Sequence, residues 1–259
     1  FVTLDGNTFE GVIANWFADG CGAVDIDGNT ITEDDLRGIA RDDMVPEETV
    51  EPTSVTVKNA DEFLAAIAPN AEIIIDAKEI DLSTAKDYGG GPQKYYRWME
   101  NFDGPGLMIT GVKNLTIRSK DGKTKNHTVC AVPRYADVLY FSGCENLVLS
   151  GFTAGHTQEP GYCTGGVLTF ENCMNVTVND CGMYGCGILG VNAASCTQIT
   201  LRKCDIYECS YGGISMHDTT GIILQDCSFR DLGGNNIQLS GCSDVTVDGE
   251  PIPGDYNGR

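Results

Sequence analysis

Apolar and polar residues alternate along this chain in short runs, and one run returns at a fixed interval. CMNVTVNDC begins at Cys173, CTQITLRKC at Cys196, TTGIILQDC at Thr219 and CSDVTVDGE at Cys242, so three successive intervals are each 23 residues. VKNLTIRSK from Val112 and CENLVLSGF from Cys144 keep the phrase but are followed by longer gaps of 32 and 29 residues. Period-two alternation predicts a strand with one buried face. A second short strand stands just before each run: LMITG, LYFSG, LTFEN, VNAAS, ISMHD and IQLSG. Its alternation aligns Leu107, Leu139, Leu168, Val191, Ile214 and Ile237 in one inward column and Ile109, Phe141, Phe170, Ala193, Met216 and Leu239 in another. A third apolar segment follows Cys181, Cys204 and Cys227, marked by Met183, Ile206 and Phe229.

Three short strands per unit and no helix predict an all-β fold, a parallel β-helix whose coils of about 23 residues stack about 4.8 Å apart. A leucine-rich repeat shares the period, but it needs a leucine ladder and an asparagine or cysteine at a different offset. Stacking explains most of the 12 cysteines. Cys144, Cys173, Cys196 and Cys242 form one column, Cys181, Cys204 and Cys227 a second, and Cys186 and Cys209 a third. A small apolar thiol suits an interior stack. A column of three cannot pair completely, so mostly free thiols and a reducing or anoxic setting are expected. No cysteine spacing fits a metal site. Asn114, Asn146 and Asn175 share another offset, continued by Gln198, Gly221 and Asp244, which reads as a turn ladder.

The repeat domain is expected over residues 53–259, entered through SVTVKNADEFLAAIAPNAEIIID. Asn59 followed by Glu62 is a helix start signal, and Phe63, Leu64 and Ile67 give one apolar face, so a short helix caps the first coil. Pro251 and Pro253 blunt the last strands. Residues 1–52 form a small appendage in which VTLDGNTF and VDIDGNTI read as strands joined by Asp-Gly turns or as displaced coils, and Thr32 with Asp35 as the start of a short helix. VDIDGNTITEDDL resembles a calcium loop but fails the EF-hand pattern, because its glycine directly follows the second aspartate.

With 17 basic and 37 acidic residues the net charge is −20, which disfavours nucleic acid or an anionic membrane as partner. No apolar run approaches the roughly 18 residues of a transmembrane segment, and no signal peptide is found at Phe1.

Residues 53–250, with the helix-then-strand entry above, resemble right-handed parallel β-helix proteins, the superfamily that includes pectate-lyase-like enzymes. GHTQEPGYCTGGVLTFENC followed by NDCGMYGCGILGV is similar to uncharacterised β-helix proteins of anaerobic gut bacteria. The resemblance implies the fold and an extracellular or cell-surface setting, with a cytoplasmic one as the alternative. It does not carry over an activity. The Gly-His-Gly and Arg-x-Lys motifs of polygalacturonases do not stand here, and lyase residues do not map position by position.

Function is therefore sought where the repeat is broken, at three insertions over residues 83–106, 120–137 and 153–166. Equal phase places them on one side of successive coils, where they wall a cleft with Tyr95, Tyr96, Arg97, Trp98, His127, Arg134, Tyr135, Tyr140, His156, Glu159 and Tyr162. Aromatic faces with interleaved polar groups suit sugar rings. Within that cleft His156 and Glu159 are the candidate proton-transfer pair and Arg134 or Arg97 the candidate holder of a substrate carboxylate. Tyr95, Tyr96, Arg97, Trp98, Tyr135, Tyr140 and Tyr162 are the candidate substrate contacts. Asn192, Ser215 and Gln238 extend a polar strip from Tyr140 and Thr169, and Glu171 and His217 share an offset two coils apart. Two readings follow: a protein that binds or processes a polysaccharide or other glycan, as a lyase or hydrolase if catalytic, or a noncatalytic structural or surface scaffold. The residues assign no metal and leave the cofactor unknown.

Overall fold

The computed structural model describes residues 23–24, 30–31, 50–156, 164–185 and 187–258. The chain divides into two compact units, residues 1–50 and 51–259. In the first, the described residues form one antiparallel pair, Ala23–Val24 with Thr30–Ile31. The Thr32 and Asp35 helix start lies outside the described residues.

The second unit is a parallel β-helix of three sheets. Sheet 1 runs Gly106–Thr110, Leu139–Ser142, Leu168–Glu171, Leu189–Ala194, Gly212–His217 and Asn235–Ser240, all parallel neighbours. Sheet 2 continues each coil through Thr116–Ser119, Glu145–Ser150, Met174–Asn179, Thr197–Arg202, Thr220–Gln225 and Ser243–Val247. Sheet 3 completes it with Glu79–Asp81, Thr128–Ala131, Thr153–His156, Gly182–Tyr184, Asp205–Tyr207 and Ser228–Arg230. The register pairs Leu139 with Leu168, Leu168 with Val191, Val191 with Ile214 and Ile214 with Ile237. These side chains and their partners Phe141, Phe170, Ala193, Met216 and Leu239 are buried.

The cysteine columns occupy the bends. Before each one the backbone takes the left-handed region, at Gly111, Gly143, Asn172, Ser195, Asp218 and Gly241. At each cysteine that follows such a turn, the thiol lies within hydrogen-bonding distance of two carbonyls, one two residues before it and one in the preceding coil. The Cys173 thiol donates to Phe141 O and Glu171 O, and the Cys196 thiol to Phe170 O and Ala194 O. Thr219, standing where the column lacks cysteine, donates its hydroxyl to His217 O at 2.9 Å. The second column repeats this between sheets 2 and 3, where Cys204 donates to Val178 O and Arg202 O. Cys130, Cys144, Cys173, Cys181, Cys196, Cys204, Cys227 and Cys242 all carry free thiols.

The asparagine ladder starts one coil earlier than expected, at Asn70. Asn114 Nδ2 donates to Asn70 Oδ1, Asn146 Nδ2 to Asn114 Oδ1 and Asn175 Nδ2 to Asn146 Oδ1, each at 2.7 Å. All four have φ between 55° and 57°. Asn146→Ala removes one donor and one acceptor and forces alanine into the left-handed region, for a combined cost of about 2–3 kcal/mol. Asn146→Gly keeps the turn and is expected to cost about 1 kcal/mol less. Chemical denaturation measures both, and alanine matching glycine would show that the turn conformation is not limiting.

The helix Ala60–Ala65 forms as the sequence predicts, with Glu62 N donating to Asn59 Oδ1 at 2.9 Å and Lys58 N donating to the Glu62 carboxylate at 2.7 Å. Phe63 and Leu64 are buried at this end of the core. At the other end Glu250–Ile252, containing Pro251, turns back antiparallel on Ser243–Val247.

Candidate functional site

Alternation divides the residues expected to wall the cleft. Residues 96–99 of the first insertion are not loop: Tyr96–Met99 joins the edge of sheet 1 as an antiparallel strand, with Arg97 opposite Met108 and Trp98 opposite Leu107. Tyr96 and Trp98 pack on the core side. The Tyr96 hydroxyl donates to Asp87 Oδ2 at 2.7 Å, and burial first, then that bond, pushes its phenol up. Trp98 meets Tyr88 edge-on, with centroids 5.0 Å apart, and its indole nitrogen is buried without a partner. Tyr95 also packs against the core, and the Lys94 ammonium lies 5.2 Å from its ring centroid. Arg97 points outward and exposed, and its Nε donates to the Met108 sulfur at 3.3 Å.

The second and third insertions contain the sheet 3 strands Thr128–Ala131 and Thr153–His156. His127 precedes the first and is mostly buried, with Nδ1 2.7 Å from Ala77 O and Nε2 3.0 Å from Asp121 Oδ1. His156 ends the second strand and is fully buried; its Nε2 donates to Ala136 O at 3.0 Å, and burial depresses its pKa. A neutral, enclosed imidazole positions the backbone and is not placed to exchange a proton with a ligand. Glu159 and Tyr162 lie outside the described residues.

The connections from sheet 3 to sheet 1 stack on one another. The Asp103 carboxylate accepts the Arg134 N–H at 2.6 Å and the Tyr135 N–H at 3.1 Å. Asp137 Oδ1 accepts the Gly166 N–H at 2.6 Å, and Arg134 O accepts the Gly165 N–H at 2.8 Å. A β-carbon on Gly165 would stand 2.1 Å from Ala136 O, so the close approach requires glycine here. Arg134 is half-buried and its Nε has no partner.

Where these connections meet sheet 1 lies a concavity of about 160 Å³, lined by Met99, Asn101, Gly106, Leu107, Tyr135, Asp137, Tyr140 and Thr164. The Tyr140 hydroxyl donates to Glu171 Oε2 at 2.6 Å. Burial and then that carboxylate push the phenol pKa up, so Tyr140 stays protonated and donates. Tyr135 stacks edge-on with Phe102, at 5.2 Å between centroids. From Tyr140 the outward row runs in register through Thr169, Asn192, Ser215 and Gln238. Glu171 aligns with Ala194 and then with the exposed His217. Met99, Asn101, Phe102, Asp137 and Thr164 were not among the residues expected from sequence. Phe102, in the turn sequence ENFDGPG, carried one usable signal: a large apolar residue among turn formers. Among the described residues no three His, Cys, Asp or Glu side chains converge as a metal cage, and no helix is long and apolar enough to cross a membrane.

The family described as "Right handed beta helix region" matches residues 105–252, more than half of the chain. The chain belongs to this family. Among curated proteins none matches the sequence of this right-handed β-helix protein. The solved structures similar to it include the following two. One, a candidate glycosyl hydrolase from Parabacteroides merdae, is 14% identical with a TM-score of 0.37, over 60% of this chain and 83% of its own. The other, a pectate lyase from Paenibacillus sp. 0602, is 10% identical with a TM-score of 0.38, over 70% of this chain and 61% of its own. At these values neither likeness carries an argument about activity.

Proposed function

We propose that the protein binds a polysaccharide along the outer face of sheet 1, with its best-formed subsite at the concavity beside Tyr140. The observation that carries this reading is the outward row from Tyr140 through Thr169, Asn192, Ser215 and Gln238, stacked coil by coil. Five positions at strand spacing span ~19 Å. Each step is comparable to the length of one sugar ring, so a chain lying along the β-helix meets the half-buried polar groups of Tyr140, Asn192, Ser215 and Gln238 in turn, with Thr169 buried between the first two. The concavity is smaller than the roughly 300–1,000 Å³ of an enclosed ligand pocket, which fits an open site holding one ring of a longer chain. Arg97, outward at the sheet edge, supplies further donors. An extracellular or cell-surface location goes with this reading.

Hydrolysis is the second reading. Asp137 and Glu171 both act electrostatically on Tyr140, and a carboxylate pair about a sugar is what glycoside cleavage uses. Affinity electrophoresis across a polysaccharide panel tests binding, and assays for new reducing ends and unsaturated products test turnover. Tyr140→Ala is expected to weaken binding by about 1–3 kcal/mol, Tyr140→Phe by less, and Gln238→Ala least. Unchanged binding by Tyr140→Ala would remove the basis of the proposal.

A further inference from the structure

We infer that the ligand of this face is a neutral pyranose chain and not a polyuronate, with Phe102 and Tyr135 forming the platform on which one ring stacks. The inference rests on the glycan reading above and adds the chemical class.

Phe102 is 89% exposed and Tyr135 38% exposed. Apolar burial is favourable, so a phenylalanine held largely in water contributes little to the core. Its turn is nevertheless well tied. Asp103, the next residue, spans to the Arg134 and Tyr135 amides. Asn101, the residue before, donates its side-chain amide to Met99 O at 2.9 Å, and Gly104 N donates back to Asn101 O. The two rings meet edge-on at 63°, and Tyr135 in turn lines the concavity, so Phe102 adjoins it through Tyr135. A fixed aromatic face beside a polar recess matches a pyranose, whose ring C–H groups form an apolar face and whose hydroxyls lie at its edge.

Charge decides the class. Among the described residues the concavity is lined by Asp137 and by no basic side chain. Tyr140, on its floor, bonds to Glu171. Tyr140 feels Glu171 and Asp137 more strongly than Arg97, and His156 feels Asp137 and Asp103 more strongly than Arg134. A polyuronate would bring a carboxylate to this acidic recess on a chain of net charge −20, against like-charge repulsion that strengthens as water is excluded. A neutral chain incurs no such cost, and its hydroxyls can donate to Asp137.

The test compares soluble β-glucan, xylan and galactomannan with polygalacturonate and alginate, at low and physiological salt, with and without added calcium. The neutral set should supply the tightest ligand, with little dependence on salt. Phe102→Ala should weaken that ligand about tenfold, the worth of one stacked aromatic contact, with an unchanged melting temperature, while Phe102→Trp retains it. Asp137→Asn, which still accepts from Gly166, should shift preference toward polyuronates. If a polyuronate binds more tightly than every neutral chain, with or without calcium, and Tyr140→Ala abolishes it, the neutral-chain inference is overturned while the glycan face stands. If no polysaccharide binds, or Tyr140→Ala has no effect, both fall. Native affinity in Phe102→Ala overturns the platform.

Discussion

Raising the pH from 9 toward 12 is expected to destabilise this β-helix far more than lowering it to 4. Burial pushes the thiols of Cys130 and Cys181 up from the ordinary 9.0 to about 12. A group whose folded pKa is raised contributes stability that is complete below its unfolded value and is lost as pH climbs toward the folded one. Each of these thiols therefore contributes up to about 4 kcal/mol below pH 9 that has gone by pH 12. Within the Cys204–Cys227 pair the shared thiol hydrogen bond raises Cys204 and lowers Cys227 to about 7. Cys130 and Cys181 alone suffice for the effect, because a domain's whole stability is about 5–15 kcal/mol.

The acid limb works in the opposite sense and weakly. Asp61, Asp76 and Asp121 are held below the usual carboxylate range, by the Lys86 amide, the Lys120 ammonium and the Asn126 side-chain amide respectively. Their stabilisation is present above about pH 4 and fades as pH falls. Asp121 is exposed and Asp61 and Asp76 are partly so, where screening leaves such pairs little to contribute. Denaturant midpoints under reducing conditions should therefore fall steeply between pH 9 and 12 and only slightly between pH 7 and 4. Alkaline pH also raises the negative charge of the whole chain, so Cys130→Ala with Cys181→Ala isolates the thiol share: the double variant should be less stable at pH 7 and show a flatter alkaline limb. A wild-type midpoint unchanged from pH 9 to 12 would refute this account of the columns.

The fold was legible because its information is local and repeated. A 23-residue interval without insertion ties each Leu, Ile or Val to its equivalent one coil away, and the period-two pattern says which face is inside. Asn114, Asn146 and Asn175 could be read as turns because asparagine tolerates the left-handed backbone they adopt. The early third strands were harder to see. Val129 in TVCA and the small Ala154 in TAGH stand at the Met183 position, but both lie inside insertions that break the 23-residue interval, so Thr128–Ala131 and Thr153–His156 looked like parts of loops.

The candidate site was less legible, because its residues meet through contacts that no local pattern encodes. Tyr96–Met99 alternates like a strand, yet only its pairing with Gly106–Thr110 reveals that Trp98 faces inward and Arg97 outward. Asp103 reaches Arg134 and Tyr135 across more than 30 residues of sequence. Phe102 stands beside Tyr135 as a result of that span. Tyr140 could be placed because it lies in the repeat itself, where phase and face are fixed.

Phe170→Ala is expected to cost about 3–5 kcal/mol, the range for truncating a fully buried phenylalanine. Phe170 lies in the strand Leu168–Glu171 and is 0% exposed, and its ring stacks on Phe141 of the preceding coil at 5.5 Å and 14°. Ala193 follows it in the same inward column, so the column passes from two aromatic rings to a methyl group and cannot fill a void left at Phe170. The loss should extend to the outer face. Thr169 and Glu171 flank Phe170 on the same strand, and Glu171 accepts the hydrogen bond of Tyr140, so a relaxed strand alters the geometry on which the proposed glycan contact depends. Phe170→Leu, which keeps much of the volume, should cost about 1–2 kcal/mol and leave affinity near native. Denaturation and polysaccharide affinity measured on both variants check this. A Phe170→Ala variant that loses less stability than Phe170→Leu, or that keeps native affinity despite the full stability loss, would show that the inward column does not hold the outer face in place.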